Sequence, residues 1–226
     1  MAYLHGFLGD AASWDGVVPR DSEHRSIALP GHGGGPVQNS WAANLRAIAG
    51  AIGASEVVVG YSLGARVAAG LVVSGHVPRA ILISVNPGID DADRAARRAS
   101  DAVWAQLIRN RGVREFLTAW EAQPLFASQT RVSEARLAAR HARRLQHDPE
   151  QLARSLEVMG LAEMPDYRNT ITSDRFALIA GADDPKYVAI ARTLRAPLEI
   201  IAGSGHDPTL EQPDALAAAI DRLLGS

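Results

Sequence analysis

A serine between two glycines has the most chemically suggestive setting in this sequence. Ser62 stands at the centre of Gly60-Tyr61-Ser62-Leu63-Gly64, and His206 ends the run Gly203-Ser204-Gly205-His206. A serine hydroxyl is a poor base and nucleophile at neutral pH, so it needs a partner that accepts its proton. An imidazole can accept that proton, and a carboxylate can fix the imidazole tautomer and stabilise the imidazolium. The residue types therefore predict serine-based acyl transfer or proton abstraction.

The residues around Ser62 predict the turn that would expose it. An apolar β-branched run, Glu56–Gly60, reads as a buried strand, and Ala65–Ser74 reads as a helix. G-x-S-x-G at a strand-to-helix turn is the nucleophile elbow. Its glycines remove side chains that would collide with the neighbouring strand and helix, and its serine backbone is strained. The helix N-terminus then offers free amide donors and a favourable dipole to a developing anion.

A second loop could complete an oxyanion hole. Leu4-His5-Gly6-Phe7 follows a short apolar start. In this arrangement the backbone N–H of Phe7 and the N–H of Leu63 are the expected oxyanion donors. We expect His5 to shape the loop rather than to transfer protons.

The acid and the base both follow predicted strands. Asp183 and Asp184 come directly after the run Phe176–Ala180, and His206 comes after the run Leu198–Ala202. Ligands of open α/β sheets bind at the carboxyl ends of strands, so these side chains are expected at one edge. Asp184 is the favoured acid, but Asp183 stays an alternative. In the favoured arrangement Asp183 could instead cap the following helix.

The order of elements predicts an α/β fold with a mostly parallel sheet flanked by helices. Between about Asp90 and Asp166 the chain is helical and rich in arginine, with no strand candidate. We expect an inserted helical cap at residues 90–166 and an α/β core formed by residues 1–89 and 167–226. The remaining strand predictions are Ser26–Leu29 and Ala80–Val85, and the remaining helix predictions are Trp41–Ile52, Lys186–Leu194 and Asp214–Leu224.

Composition narrows the possible partners. The chain has 226 residues, 47% of them apolar, and a formal net charge of −2, so it has no overall field that would attract nucleic acid. The absence of cysteine excludes disulfides and thiolate catalysis and fits a reducing compartment, so we expect a cytoplasmic protein. No signal peptide and no membrane span are expected. No cofactor or metal motif is visible, so none is predicted.

Several motifs together resemble the α/β-hydrolase superfamily over nearly the whole length. They are LHGFLGD, ALPGHGGG, VVGYSLGARVA, the aspartate loop and the histidine loop. Within this superfamily the chain is most similar to 2-succinyl-6-hydroxy-2,4-cyclohexadiene-1-carboxylate (SHCHC) synthases of menaquinone biosynthesis. The similarity rests on Arg66 after the elbow, on Asn86-Pro87-Gly88-Ile89, on R-x-x-S-D-x-x-W-A-Q starting at Arg97, and on F-x-x-x-W-x-x-Q-P-x-F starting at Phe116.

The resemblance implies a carbon–oxygen lyase that acts on a small anionic substrate with several carboxylates. It would remove the proton α to the succinyl ketone of 2-succinyl-5-enolpyruvyl-6-hydroxy-3-cyclohexene-1-carboxylate and eliminate pyruvate. The implied triad is Ser62, Asp184 and His206. The implied substrate-binding residues are Tyr61, Arg66, Arg97, Trp120 and Arg140, with Arg136, Arg143 or Arg144 as alternatives to Arg140. Arginine suits this role because its planar fork matches a carboxylate.

Two other functions stay open. A serine hydrolase of esters, thioesters or C–C bonds would use the same triad, and a non-catalytic binding protein could use the same scaffold. The chain also departs from the family, because it begins at the strand before the oxyanion loop and two preceding strands are expected to be missing. Oligomeric state is not predicted.

Overall fold

The computed structural model describes residues 1–18 and 24–225. Within these residues, six strands form one sheet in the order β2-β1-β3-β4-β5-β6, and every neighbouring pair is parallel. The predicted parallel α/β architecture is confirmed. The strands are β1 (Ala2–Leu4), β2 (Arg25–Ile27), β3 (Val57–Tyr61), β4 (Arg79–Ile83), β5 (Phe176–Gly181) and β6 (Leu198–Ile201).

Helices cover both faces of this sheet. Along β3, Val58 packs into the core beneath α1 (Trp41–Ile52) and α2 (Leu63–Val73), and Val59 packs into the core beneath α8 (Pro213–Leu224). Successive side chains of a strand point to opposite faces, so a strand buried on both sides needs a continuous apolar run. The helices are α1 (Trp41–Ile52), α2 (Leu63–Val73), α3 (Asp91–Glu121), α4 (Glu134–Arg144), α5 (Pro149–Val158), α6 (Pro185–Arg192), α7 (Pro208–Glu211) and α8 (Pro213–Leu224).

The chain between β4 and β5 is helical, as the sequence predicts. Residues 84–175, all of them described, contain α3, α4, α5 and a 3₁₀ segment at Pro124–Arg131, with no strand. Ile108, Phe116 and Leu156 from these helices form a buried cluster with Leu8 of the oxyanion loop. The helical segment therefore packs against the loop that follows β1. Its division from the core at residues 90 and 166 stays a prediction.

Helix α3 is broken in its second half. Gly112 has φ +77° and ψ +173°, which are not helical values. In a straight helix the Cα atoms of Trp104 and Trp120, sixteen positions apart, would be separated by about 24 Å at 1.5 Å per residue. Their ring centroids lie 5.2 Å apart, so α3 folds back on itself at Gly112. None of the described helices is long and apolar enough to cross a membrane.

Candidate active site

Ser62 occupies the turn between β3 and α2 in a strained conformation. Its φ is +51° and its ψ is −106°, so a non-glycine residue has the positive φ that the elbow predicts. A Cβ on Gly60 would lie 2.2 Å from the carbonyl oxygen of Gly64, and a Cβ on Gly64 would lie 2.1 Å from the carbonyl oxygen of Leu4. A side chain at either position would collide with backbone atoms, so both positions require glycine.

Ser62, His206 and Asp184 form a continuous hydrogen-bonded chain. The Ser62 hydroxyl lies 3.2 Å from Nε2 of His206, and Nδ1 of His206 lies 2.8 Å from Oδ2 of Asp184. Because the carboxylate accepts from Nδ1–H, Nε2 is left to accept the serine proton. His206 and Asp184 are buried, at 3% and 6% exposure. The arrangement can move a proton between the hydroxyl and the imidazole.

The two aspartates after β5 have different positions. Asp184 accepts from His206 and, through Oδ1, from the backbone N–H of Tyr187, so it also caps α6. Asp183 is more exposed and pairs with Arg131. The expectation that Asp183 caps this helix is wrong, because the residue adjacent to Pro185, the first residue of α6, has the capping geometry.

Glu211 holds the loop that carries His206. Its Oε2 accepts from the N–H of Gly205 at 2.7 Å, and its Oε1 accepts from the N–H of Asp207 at 3.1 Å. One carboxylate therefore fixes the peptide groups on both sides of the histidine. Sequence reasoning missed this residue, although an acid five positions after a loop histidine was a usable signal.

His5 fixes the loop after β1. Its Nε2 accepts from the N–H of Leu29 at 3.0 Å, so Nδ1 carries the hydrogen and donates to the carbonyl oxygen of Gly6 at 2.7 Å. Burial lowers the pKa of His5 to about 4 and keeps the ring neutral. This geometry agrees with a structural role. Phe7 and Leu63, the expected oxyanion donors, line the same cavity as Ser62.

The cavity above Ser62 has a volume of about 240 Å³ and contains three arginines, Arg66, Arg97 and Arg144. Arg66 donates from Nη1 to the carbonyl oxygen of Met159 at 3.0 Å, and no carboxylate of the described residues forms an ion pair with it. Burial and the nearby charge of Arg97 lower the pKa of Arg66 to about 10. The guanidinium stays charged and has no ion-pair partner among the described residues.

The other two arginines have acidic partners. Arg97 donates from Nε to both carboxylate oxygens of Asp101, at 3.0 and 2.9 Å. Arg144 is 7% exposed and donates from Nη1 to Glu121 at 2.7 Å. Neither contact uses all the donors of its guanidinium, because arginine has five N–H groups. The cavity can therefore accept an anion with more than one carboxylate.

Aromatic rings form one wall of this cavity. The Trp120 ring lies 5.2 Å from those of Trp104 and Phe7 and 6.3 Å from that of Phe126, measured between centroids. These are ordinary distances for edge-on and tilted ring contacts. The fold in α3 brings Trp104 and Trp120 together, so the wall is made by both halves of one helix.

Not all of the predicted substrate-binding residues lie in the cavity above Ser62. Tyr61, Arg66, Arg97 and Trp120 line the cavity above Ser62. Arg140 does not; it lines a second cavity and contacts Asp207 and Gln129. Its assignment to the substrate at Ser62 therefore lacks support from its position, and Arg144, left as an alternative, takes that place in the cavity.

Lys186 and Ser84 are among the residues that line this cavity without having been predicted. Lys186, the only lysine in the sequence, follows the acid loop directly, which was an available signal. Ser84 has φ +50°, is 1% exposed, and its buried Oγ has no hydrogen-bond partner in the described part of the chain. Sequence patterns give no indication of that backbone conformation.

Comparison with known proteins identifies the family. The family model described as "Alpha/beta hydrolase family" matches residues 3–219. The chain belongs to the alpha/beta hydrolase family. It is 32% identical to the 2-succinyl-6-hydroxy-2,4-cyclohexadiene-1-carboxylate synthase of Enterobacter sp. (strain 638), over 99% of this chain and 91% of that protein. It is also 32% identical to the synthase of the same name from Salmonella agona (strain SL483), over 99% and 93%. The predicted resemblance to this group is confirmed.

Solved structures agree with the fold. MenH from S. aureus has a TM-score of 0.91 and 26% identity, with 99% of this chain and 92% of that chain covered. A thermophilic esterase from Thermogutta terrifontis has a TM-score of 0.77 and 23% identity, with coverage of 99% and 88%. At that identity the esterase shows the shared fold alone.

Proposed function

We propose that this protein is an SHCHC synthase of menaquinone biosynthesis, a carbon–oxygen lyase that releases pyruvate. The observation that carries the proposal is a single cavity in which three arginines and an aromatic wall face Ser62 and His206. A cyclic substrate with several carboxylates fits that chemistry. Relatives with the synthase name cover nearly the whole chain, which supports the same assignment. In this proposal residues 90–166 act as the cap that supplies Arg97 and Arg144, and Arg66 comes from α2.

The first step is removal of the proton α to the succinyl ketone. Ser62 takes this proton as its own hydroxyl proton passes to Nε2 of His206, and Asp184 stabilises the imidazolium. The electron pair of the C–H bond moves onto the ketone oxygen. The backbone N–H groups of Phe7 and Leu63 hold that oxyanion, and each such donor contributes on the order of 3 kcal/mol to lowering the barrier.

The second step expels the leaving group. The ketone re-forms, the double bonds shift around the ring, and the bond between the ring carbon and the enolpyruvyl oxygen breaks. The proton held by His206 returns to the departing enolpyruvate, which becomes pyruvate, and the ring retains the newly formed diene. Serine acts as a base relay and is not acylated. Proton, electron pair and leaving group therefore balance within the active site.

The arginines bind and orient the substrate. Arg66 forms no ion pair with any residue that the structure describes, so a substrate carboxylate would be its ion-pair partner. Arg97 and Arg144 retain free N–H donors beside their acids. Charge-assisted contacts of this kind each contribute about 1.5–3 kcal/mol. The anionic substrate is therefore placed with its ring against Trp104 and Trp120.

The proposal is tested by incubating the protein with the enolpyruvyl cyclohexene substrate and measuring released pyruvate with a coupled dehydrogenase. We expect turnover in the parent and a loss of about 10³-fold or more in Ser62→Ala. Ser74→Ala, at the exposed end of α2, is the matched control and should match the parent. A folded parent that releases no pyruvate contradicts the proposal.

A serine hydrolase is the alternative function, and the hydrogen bond from Ser62 to His206 favours it equally. In that case Ser62 would attack a carbonyl and form an acyl-enzyme. A chromogenic ester separates the two functions. A burst of released alcohol, with an acyl mass on the peptide that contains Ser62 and no pyruvate release, assigns the protein as a hydrolase.

A further inference from the structure

A second cavity lies beside the one above Ser62. It has a volume of about 190 Å³ and is bounded by the loop after β1, by α4 and by the residues after His206. It is smaller than the cavity of about 240 Å³ above Ser62, so it suits a smaller molecule. Phe7, Tyr61 and Arg144 line both cavities and form the partition between them.

Arginine dominates the charge of this second cavity. Four guanidinium groups and two carboxylates line it: Arg136, Arg140, Arg143 and Arg144 with Asp10 and Asp207. Asp10 pairs with Arg143 at 2.9 Å and Asp207 with Arg140 at 3.5 Å. Glu121 pairs with Arg144 although it does not line the cavity. When Glu121 is included, one positive charge remains in excess, which matches a monoanion.

Several donors in this cavity lack partners. The exposed Arg136 forms no ion pair with any described residue. Arg144 is more than nine-tenths buried and its Nε has no hydrogen-bond partner in the described residues, and the same is true of the buried Nε of Arg140. The Tyr61 hydroxyl also makes no hydrogen bond there. Burial and the charge of Asp207 raise the pKa of Tyr61, so the phenol stays a neutral donor.

The rest of the lining contains apolar side chains together with the hydroxyl groups of Ser13 and Thr209. Phe7, Leu8, Ala12 and Leu210 face the same space as the arginines. A ligand with a carboxylate at one end and a short carbon chain at the other would satisfy both parts of the wall. We propose that the second cavity binds a small monocarboxylate. Binding of a free acid does not depend on the reaction at Ser62, because it rests on the charge, donors and size of a separate space, whereas binding of a substrate carboxyl group rests on the proposed function.

The carboxylate has two possible sources, a free small acid or a carboxyl group of the molecule bound at Ser62. Pyruvate, titrated by calorimetry into the full-length protein, tests the first source. We expect binding to the parent, no binding of the neutral methyl pyruvate, and affinity at least about tenfold weaker in Arg140→Gln. Arg114→Gln, an exposed arginine on α3 that lines neither cavity, should bind like the parent.

A second variant separates lost binding from misfolding. Ala139→Leu adds a side chain on the cavity wall without removing any charge and should also weaken pyruvate binding about tenfold. Circular dichroism melts of both variants check the fold. If the carboxylate belongs to the bound substrate, pyruvate does not bind and the KM for that substrate rises at least tenfold in Arg140→Gln and Ala139→Leu, with kcat retained. Parent-like binding and KM in both folded variants overturn the inference.

Discussion

Arg66 is the residue at which binding and stability conflict most clearly. Its guanidinium is held in the cavity by one hydrogen bond to a carbonyl oxygen and has no acidic partner in the described residues. Burial without a counterion disfavours the charged form, which the lowered pKa expresses. A cation in this state binds an anion well because the anion removes the penalty. Without a bound anion, the folded protein retains the free-energy cost of burying the Arg66 charge.

Substitution of Arg66 should therefore separate the two effects. In Arg66→Met we expect KM for the anionic substrate to rise at least tenfold while the free energy of unfolding stays equal or increases. Urea unfolding and steady-state kinetics measure both. Arg46→Met, an exposed arginine on α1, is the control and should change neither. A lower stability together with an unchanged KM would contradict the role given to Arg66.

Glu211 should act on rate rather than on affinity. Glu211→Gln replaces one carboxylate oxygen with an amide nitrogen, which cannot accept from a backbone N–H, so the loop carrying His206 loosens. We expect kcat to fall about tenfold with KM within twofold of the parent, because in the proposed reaction His206 transfers protons and does not bind the substrate. Asp214→Asn, an exposed acid at the start of α8, is the control. Equal changes in kcat and KM would argue against a positioning role.

At the scale of elements, the elbow joins β3 to α2 with no room for a side chain at either glycine. Gly64→Ala should lower the free energy of unfolding by more than about 2 kcal/mol or prevent folding, because the added carbon meets the Leu4 carbonyl oxygen. Gly50→Ala is the matched substitution, since no atom lies within 4 Å and Gly50 sits inside α1. The Gly50→Ala substitution should raise the free energy of unfolding by about 0.5–1 kcal/mol. Thermal and urea unfolding compare the pair.

The sequence predicted the elements better than their ends. Helix α1 begins and ends at the predicted residues, whereas α2 starts two residues early because Leu63 already follows the strained Ser62. Strand β4 stops at Ile83 rather than Val85, since Ser84 turns to a positive φ. Such local torsions depend on contacts with distant strands. The periodicity of apolar residues indicates which side chains are buried, so it located the strands but not these turns.

The sequence predicted those residues of the candidate site that belong to a recognisable motif. Ser62 and His206 meet across 144 positions of sequence because parallel strands end at one edge. The placement of Arg140 and Arg144 was not predictable, since the two lie one helical turn apart and only the docking of α4 decides which cavity each one faces. Glu211 was missed because its partners are backbone amides rather than side chains of a known motif, although its spacing of five positions from His206 was an available signal.

At the scale of the whole molecule, neutral histidines join the helical segment between β4 and β5 to the loops that follow β1 and β2. The His32 ring lies 5.3 Å from those of His5 and His147, and His147 contacts the carbonyl oxygen of Leu8. Burial is the main cause that lowers the pKa of all three, with His5 near 4. The unfolded chain therefore binds protons that the folded chain does not, starting near pH 6.5.

Stability should consequently fall as the solution is acidified. The contribution of these rings is complete above about pH 6.5 and is lost progressively towards pH 4, with roughly 3 kcal/mol from His5 alone. Urea unfolding at pH 7.5, 6.0 and 5.0 measures the slope. His32→Phe should flatten it, whereas His76→Gln should not, since that ring is exposed in both states. An unchanged slope in His32→Phe would show that the cluster does not titrate as described.

Helix α3 reverses direction at Gly112, so the contact between Trp104 and Trp120 depends on the chirality of the residue at position 112. The φ and ψ of Gly112 lie in a region that L-amino acids avoid, at a cost of about 1–3 kcal/mol, and that their mirror images populate as extended chain. A semisynthetic protein with D-alanine at 112 should keep the ring spacing and the activity of the parent. The L-alanine protein, with the same atoms, should separate Trp104 from Trp120 and weaken substrate binding. Tryptophan fluorescence would distinguish the two stereoisomers.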